Sequence, residues 1–248
     1  MVKPKKHLGQ HFLLDQDIAE KIATSLEEEN DLVIEVGPGT GVLTQFLEKK
    51  YSKKLKLVEI DRESIAYLNQ HFSSLAEQII SEDFLKMDLS QFNVSRISII
   101  GNYTYNISSQ ILFKALEYRE QVVELSGMFQ KEVAARITAK PGNKTYGILS
   151  VLSQAYFKTE YLFDVPPEVF DPPPKVVSGV IRLKRFRTSI PDCDEKFFKS
   201  VVKLAFNQRR KTLRNALKSI LPEGYSSDVL QLRAETVSYT HLTLPTKA

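Results

Sequence analysis

The chain has 248 residues, of which 42% are hydrophobic and 26% charged, and this composition excludes the disordered and collagen-like classes. Its formal net charge of +4 is too small to indicate a nucleic-acid partner by itself, and a single cysteine excludes an internal disulfide. Because the four histidines show no ligand spacing, we expect no metal site. Since the sequence shows neither a membrane-spanning run nor a secretory signal, we expect a cytoplasmic protein.

The chain opens with a basic arm, Lys3-Pro-Lys-Lys6, which is followed by an aromatic and aliphatic anchor that ends at Leu14. Asp15 can cap the helix that is predicted to begin near Asp17. We interpret the arm as a segment that precedes the fold proper.

A glycine-rich turn follows the first predicted strand. The strand ends at Val36, and glycines then stand at every second position from Gly37 to Gly41, before a helix predicted over 42–50. Such a turn lets a nucleotide-like cofactor approach the main chain. The spacing of these glycines differs from the G-x-G-x-x-G pattern that binds a pyrophosphate. Glu35, which precedes the turn, suits the cationic end of S-adenosylmethionine, directly or through water.

Two further carboxylates are predicted at the same edge of the sheet. Glu59 ends the strand at 55–60, about twenty residues after the turn, where an acidic side chain binds ribose hydroxyls. Asp83 follows a short strand at 78–81 and is a candidate for binding the adenine amine. The alternatives are an ordinary surface carboxylate for Glu59 and a helix cap or turn residue for Asp83.

The next strand, at 96–100, leads into the loop Gly101-Asn-Tyr-Thr-Tyr-Asn106, and a helix is predicted from about Ile107. An Asn side-chain oxygen can accept a hydrogen bond from an exocyclic amine, and an aromatic face can stack on a base lifted out of its helix. The alternative is a polar turn with core aromatic residues, and the loop residues alone do not separate the two.

The alternation of strands and helices predicts a doubly wound α/β sheet. Further strands are expected at 122–128, 159–165 and 176–183, and further helices near 129–138 and 146–157. The proline-rich run over 165–175 is rigid, cannot be a central strand, and can hold Phe170 against a site.

The α/β domain is expected to span 1–189, and a small basic helical domain to span 190–236. No acidic residue lies between Lys196 and Lys218, while apolar residues recur there at helical spacing. Since acidic partners are missing within this window, binding of a polyanion is favoured over a merely solvated face. The candidates for RNA binding are Arg209, Arg210, Lys211 and Arg214.

The last residues, 237–248, show neither a helical period nor a cap. We interpret them as a non-native tail, which implies a truncated helical domain.

Taken together, the motifs resemble the ribosomal RNA adenine dimethyltransferase family, in its bacterial, KsgA-type branch. They are, in chain order, Gly9-Gln-His-Phe-Leu13, Glu35-Val-Gly-Pro-Gly-Thr-Gly41, Val58-Glu-Ile-Asp61, Gly101-Asn-x-x-Tyr-Asn-Ile-Ser108, Pro172-Pro-Pro-Lys-Val176 and Phe206-Asn-Gln-Arg-Arg-Lys-Thr-Leu-Arg214. The resemblance runs from residue 3 to about 236, and its specificity lies in the ensemble, since most Rossmann-type methyltransferases share the glycine turn.

The resemblance implies a Rossmann-like, S-adenosylmethionine-dependent enzyme that dimethylates two adjacent adenines near the 3′ end of small-subunit (16S) ribosomal RNA during 30S biogenesis, acting as a monomer. It also implies a role for each matching residue. His11 and Leu13 close over the cofactor, Gly37 gives a main-chain contact, Glu59 binds the ribose, Asp83 the adenine and Asn102 the reacting end, while Tyr105 and Phe170 sandwich the target adenine and the Thr104 backbone carbonyl accepts from its amine.

Two residues depart from the family pattern: Thr104 stands where the family has proline, and His11 where many relatives have Asn. A rival interpretation is a ribosome-assembly factor that binds RNA on the same fold with weak or no catalysis. A third, a DNA adenine or small-molecule methyltransferase, is weaker because the basic helices suit a structured RNA.

Overall fold

The structure is a computed structural model, and it describes residues 2–191 and 193–243. The chain divides into two compact units, one formed by Met1–Ala134 with Glu160–Arg185 and the other by Ala135–Thr159 with Phe186–Ala248. The division after Arg185 lies close to the predicted boundary at 189. The segment Ala135–Thr159, which the sequence assigned to the first domain, belongs instead to the second unit.

Among the described residues, the first unit contains nine strands and five α-helices, in whole or in part. The strands are β1 (Phe12–Leu13), β2 (Leu32–Val36), β3 (Leu55–Glu59), β4 (Ile79–Ser81), β5 (Ile97–Asn102), β6 (Val122–Gln130), β7 (Phe157–Val165), β8 (Phe170–Asp171) and β9 (Ser178–Arg185). The helices are α1 (Gln16–Ala23), α2 (Thr44–Tyr51), α3 (Arg62–His71), α4 (Ser108–Glu117) and α5 (Lys131–Thr138). The chain passes between the units within α5 and again within β7.

Seven strands form one sheet in the order β4-β3-β2-β5-β6-β9-β7. The strands from β4 to β6 are parallel to their neighbours, and β9 is antiparallel to β6. This confirms the predicted Rossmann-like α/β fold. The strand order reverses between β2 and β5, so their carboxyl ends flank the crevice in which open α/β sheets bind ligands.

Burial of β2 follows from its central place in the parallel sheet. All five of its residues are buried, as expected for a parallel strand that is covered on both faces.

The helix after the N-terminal anchor begins at Gln16, and the Asp15 side chain accepts a hydrogen bond from the Ile18 N–H at 2.9 Å. The predicted cap is thus confirmed.

The N-terminal arm is part of the fold, contrary to the sequence-based interpretation. Its strand β1 pairs antiparallel with β8 in the proline-rich run, with Leu13 opposite Phe170. Further back, the Lys5 ammonium forms ion pairs with the carboxylates of Asp61 and Glu63 at the start of α3. Neither contact was predictable from local pattern, because each joins residues far apart in the chain.

The second unit contains α6 (Ile148–Gln154), α7 (Glu195–Asn207), α8 (Leu213–Ala216) and α9 (Tyr239–Leu242). The apolar face predicted for α7 is buried; its members are Phe198, Val201, Val202, Ala205 and Phe206. Within the predicted tail, Val237 and Leu242 are buried and α9 forms, so the expectation of a stretch without helix is wrong for 237–243. Residues 244–248 lie outside the described residues.

Candidate functional site

The glycine-rich turn forms one wall of a cavity at the carboxyl end of the sheet. Gly37, Gly39 and Gly41 all have positive φ, at 68°, 58° and 80°. A Cβ on Gly37 would meet no atom within 4 Å, so the space beside this main chain is open. At Gly41 a Cβ would lie 2.3 Å from the Phe72 ring, so close packing also requires glycine there.

Glu59 fastens this turn to the end of β3. Its buried carboxylate accepts hydrogen bonds from the N–H groups of Gly39 at 3.0 Å, Ile60 at 2.8 Å and Asp61 at 2.9 Å. Burial raises the pKa of this carboxyl, and the three main-chain N–H groups oppose that rise. A carboxylate offers about four acceptor positions, so Glu59 can accept one further hydrogen bond from a ligand in the cavity.

Glu35 is placed differently from the sequence-based expectation. It is fully buried and does not line the cavity, so it makes no direct contact with a ligand there. One carboxyl oxygen accepts from the Thr44 hydroxyl at 2.7 Å, and the other makes no hydrogen bond within the described part of the chain. Burial raises the pKa of Glu35 to about 8, and the nearby Glu59 carboxylate contributes to the rise.

Asp83 also lines the cavity, together with Phe84 and Leu85. Its Oδ1 accepts from the Leu85 N–H at 3.0 Å, and its carbonyl accepts from the N–H groups of Lys86 and Met87. Asp83 is therefore a turn residue, which was the alternative interpretation of its position. It also lines the cavity, which binding of the adenine amine would require.

Asn102 ends β5 at the edge of the same cavity, and its amide group has one defined orientation. The Nδ2 group donates to the main-chain carbonyl of His11 at 3.2 Å. Because a carbonyl can only accept, the nitrogen must face it, and Oδ1 is left without a partner among the described residues. The arm thus orients an acceptor toward the cavity.

The two tyrosines of the loop have different environments. Tyr103 is buried, donates to the Ser126 carbonyl at 2.6 Å and packs edge-on against Phe129, so it is a core aromatic residue. Tyr105 is half-buried, its hydroxyl lies 2.6 Å from the Ser178 Oγ, and its ring stacks on His11 with centroids 5.8 Å apart. Only Tyr105 offers an aromatic face at the surface.

A second cavity lies beside Tyr105, and His11 lines both this cavity and the one beside the glycine-rich turn, which we call the glycine-turn cavity. The His11 Nδ1 lies 2.6 Å from the Pro172 carbonyl, so this nitrogen carries a proton and donates. His11, which belongs to the arm, therefore contacts both the Tyr105 loop and the proline-rich run. Leu13 lines the glycine-turn cavity and is otherwise buried.

Thr104 lines the glycine-turn cavity and begins the turn that leads into α4. Its carbonyl accepts from the Ile107 N–H at 3.2 Å, which uses one of the two lone pairs of that oxygen. Within the described residues, the Thr104 N–H donates no hydrogen bond.

Phe170 does not stand where its predicted stacking role needs it. Its ring is 4% exposed, packs in the apolar core that contains Leu13 and Val165, and lines neither cavity. The fixed β1–β8 pairing accounts for this burial. A stacking contact would require the ring to leave this core.

The four cationic candidates of the second unit fall into two classes. Arg210, Lys211 and Arg214 are exposed and form no ion pair in the part of the chain that the structure describes. Arg209 instead has its Nη2 2.6 Å from a Glu235 carboxylate oxygen and 2.9 Å from the Lys144 carbonyl. The acidic partner of Arg209 is Glu235, which lies outside the window 196–218 in which the sequence shows no acidic residue.

Sequence reasoning also missed Lys114 on α4, a buried lysine that contacts the loop after Asp83. The available signal was its position on the apolar face of the helix, beside Ile111 and Ala115.

Among residues 2–191 and 193–243, no helix is long and apolar enough to cross a membrane, and no cluster of three metal-binding side chains occurs.

Comparison with known proteins gives consistent matches over nearly the whole chain. Residues 1–238 match the family described as ribosomal RNA adenine dimethylase. A protein of Cytophaga hutchinsonii named ribosomal RNA small subunit methyltransferase A is 58% identical, over 96% of this chain and 93% of its own. A protein of the same name from Parabacteroides distasonis is 54% identical, over 98% of this chain and 94% of its own.

Two solved structures share the fold. A dimethyladenosine transferase from Plasmodium falciparum superposes with a TM-score of 0.77 at 24% identity, and the match covers 94% of this chain and 96% of that one. The 23S rRNA methyltransferase ErmE gives a TM-score of 0.73 at 26% identity, with 94% and 98% covered.

Proposed function

The chain belongs to the ribosomal RNA adenine dimethylase family, and on that premise we propose that it transfers methyl groups from S-adenosylmethionine to the N6 atoms of two adjacent adenines in small-subunit ribosomal RNA. The relatives at 54–58% identity are named as small-subunit methyltransferases, which supports this choice of substrate. The observation that carries the proposal is the orientation of Asn102, whose free Oδ1 can accept from an exocyclic amine at the cavity edge.

The glycine-turn cavity fits S-adenosylmethionine. The open space beside Gly37 admits a ligand against the main chain, and the Glu59 and Asp83 side chains both line the cavity, where they can bind the ribose hydroxyls and the adenine amine. Leu13 and His11 would close the cavity from the arm side. When bound, this cofactor supplies an electrophilic methyl group on a sulfonium sulfur.

The residues around Asn102 are suited to orient a purine amine. Tyr105 offers a ring face on which a base lifted out of its helix can stack. Two hydrogen bonds from the amine, one to the Asn102 Oδ1 and one to the remaining lone pair of the Thr104 carbonyl, would draw its nitrogen lone pair out of conjugation with the ring. The amine nitrogen would then form a bond to the methyl carbon as the carbon–sulfur bond of the sulfonium breaks, with S-adenosylhomocysteine as the leaving group and one amine proton released to water. This displacement needs no nucleophilic side chain, only orientation and electrostatics.

The product amine of the first transfer still carries one proton and one lone pair. A second transfer therefore needs the monomethylated amine to keep only one of the two hydrogen bonds, while the new methyl group takes the place of the other. This is how one site can carry out both steps.

Binding of the ribosomal RNA is assigned to the exposed cations Arg210, Lys211 and Arg214. Arg209 is better suited to hold this segment in place, since its guanidinium is already bound by Glu235 and by the Lys144 carbonyl. The partner is small-subunit RNA or the particle that contains it, and the protein acts as a monomer.

The experiment that tests this function is transfer of tritiated methyl groups to small subunits isolated without these methylations. We expect incorporation into the RNA of such subunits, and none into fully methylated subunits, which serve as the control. Tight binding to the undermethylated subunits with no incorporation would contradict the enzyme assignment and favour a ribosome-assembly factor.

A further inference from the structure

The helix α4 carries a lysine at a position where an apolar residue is expected. Lys114 is 7% exposed and stands on the helix face that also buries Ile111 and Ala115. Lysine is almost never buried to this extent without a partner, because its charged form loses hydration. No carboxylate forms an ion pair with Lys114 in the described ranges, so its partners must be of another kind.

Those partners belong to the segment that follows Asp83. The Lys114 Nζ donates to the main-chain carbonyl of Leu85 at 3.2 Å and also to that of Met87. The ammonium lies 5.6 Å from the centroid of the Phe84 ring, within cation–π range. A second ring, that of Tyr118, lies 5.0 Å away on the other side.

The bound segment lines the glycine-turn cavity. Asp83, Phe84 and Leu85 all line that cavity, and Asp83 is the residue assigned to the cofactor's adenine. The hydrogen bonds within the segment all run to Asp83, which accepts from the N–H groups of Leu85, Lys86 and Met87. The ammonium adds hydrogen bonds to the carbonyls of Leu85 and Met87, and it approaches from a helix that begins directly after the loop of Asn102 and Tyr105.

We propose that Lys114 is a positioning residue that sets the specificity of the cavity for an adenine ring, by holding the wall of Asp83, Phe84 and Leu85 in place. This inference rests on the proposed function, which puts the adenine of the cofactor against that wall. Burial lowers the pKa of Lys114, and the nearby carboxylates of Glu117, Asp88, Asp83 and Glu82 oppose that shift.

The chain offers a matched control for this lysine. Lys50 on α2 also donates to a main-chain carbonyl, that of Leu26 at 3.1 Å, and also lies over an aromatic ring, that of Tyr51 at 5.1 Å. Lys50 is more exposed than Lys114 and does not line the glycine-turn cavity. Lys50→Met therefore removes the same kinds of contact, from a more exposed position, at a place that has no bearing on adenine recognition.

The test compares binding of S-adenosylhomocysteine with that of S-inosylhomocysteine, in which a carbonyl replaces the adenine amine, by titration calorimetry. The wild type should prefer the adenine compound. Lys114→Met should weaken binding of the adenine compound by about tenfold and reduce the preference between the two, since the loss of two charge-assisted hydrogen bonds frees the wall. Lys50→Met should leave both affinities at the wild-type values.

Several outcomes are decisive. An unchanged preference in folded Lys114→Met, even with a lowered melting temperature, would show that the lysine only stabilises the fold and would overturn the proposal. If Lys114→Met does not fold, Lys114→Arg keeps the charge but changes the donor geometry, and it should lower the preference in the same direction. A wild type that binds neither compound would contradict the proposed function itself.

The double variant with Asp83→Asn gives a second criterion. If Lys114 acts through the wall that carries Asp83, the effects of Lys114→Met and Asp83→Asn on binding of the adenine compound should be less than additive. Additive effects of the two substitutions would contradict the proposal that Lys114 acts through the segment that carries Asp83. The KM for the RNA substrate should stay at the wild-type value in Lys114→Met.

Discussion

At the residue scale, the orientation of Asn102 depends on a contact with the N-terminal arm. Its Nδ2 is held by the His11 carbonyl, so the acceptor that faces the cavity is defined before any substrate arrives. Preorganised acceptors of this kind contribute to catalysis because they need no rearrangement during the reaction. A residue outside the sheet thus determines which atom of Asn102 is available.

Asn102→Ala should therefore lower turnover far more than RNA affinity. The hydrogen bond to the amine is expected to strengthen as the nitrogen becomes tetrahedral, so its loss falls on the transition state. We expect a decrease in the single-turnover rate of about 10²–10³, comparable to the loss of one oxyanion donor. A near-normal single-turnover rate at saturating cofactor would remove Asn102 from the reacting site.

Glu35 makes the stability of the protein depend on pH. Its folded-state pKa is about 8, whereas the ordinary value is 4.5, so between these values the folded protein binds a proton that the unfolded chain has lost. The contribution of this group to stability is complete below pH 4.5 and decreases as pH rises through 8. The uncharged isostere Gln removes this dependence.

Glu35→Gln and the wild type should therefore have similar stability near pH 4.5 and differ increasingly at higher pH. At pH 9 the variant should be more stable by up to about 5 kcal/mol, because a change of pKa from 4.5 to about 8 corresponds to that free energy at about 1.4 kcal/mol per pKa unit. Denaturant unfolding at the two pH values measures the difference. Stability curves that run parallel across this range would show that Glu35 titrates normally.

Individual residues of the site were predictable where a local motif defines them. Glu59, Asp83 and Asn102 each end or follow a strand, and parallel strands bring such positions to one edge. The burial of Phe170, the ion pair of Arg209 and the contacts of Lys114 were not predictable, because each depends on a residue distant in the chain.

At the scale of elements, the turn before α4 accommodates the proline that the family has at position 104. The Thr104 carbonyl accepts from the Ile107 N–H, and its own N–H donates to no described residue, so a proline would remove no hydrogen bond. The residue before it, Tyr103, lies just after β5 and outside any helix, which suits a position that precedes proline.

Thr104→Pro should therefore raise the free energy of unfolding by roughly 0.4–1 kcal/mol, because proline restricts the unfolded chain. The methylation rate should be kept or raised, since the carbonyl that binds the amine belongs to the backbone. Denaturant titration and initial-rate assays give the two readouts. A proline variant that folds but loses activity would mean that this loop has diverged from the family, and it would favour an assembly factor.

The segment between α7 and α8 leads to a second prediction at this scale. Arg210→Ala with Lys211→Ala should reduce the slope of log affinity for RNA against log salt by about 1–2 units, since two exposed cations each lose a phosphate contact. Lys21→Ala with Lys53→Ala removes equal charge from exposed positions of the first unit and should leave the slope unchanged.

Arg209→Ala should behave differently, because it leaves the Glu235 carboxylate without its partner. The main effect should be a lower melting temperature, together with a smaller change of slope than in the double variant. If Arg209→Ala alone reduced the slope as much as the double variant does, its guanidinium would be a phosphate ligand rather than a support for the segment.

Most elements were predicted to within a few residues, because strand and helix periods are local signals. The strand at 55–60 is observed as Leu55–Glu59, and the helix expected to start near Asp17 begins at Gln16. The β1–β8 pairing was missed, since two-residue strands show no alternation that a pattern could reveal.

At the scale of the whole molecule, the order of the strands explains why the predicted site residues meet. Strand order reverses between β2 and β5, and the residues that end those strands, Val36 and Asn102, lie on one cavity. The sequence predicted this class of sheet from its alternating elements. It did not predict that Ala135–Thr159 would join the second unit, because an interrupted unit has no local signature in the sequence.

Methylation of two adjacent adenines, twice each, can be measured directly by mass spectrometry of nuclease fragments of small-subunit RNA. The fragments are taken after reaction of undermethylated subunits with wild-type protein and S-adenosylmethionine. We expect one fragment with two neighbouring N6,N6-dimethyladenosines, and far less of it with Asn102→Ala. A fragment without methylated adenine, from subunits that the protein demonstrably binds, would contradict this function.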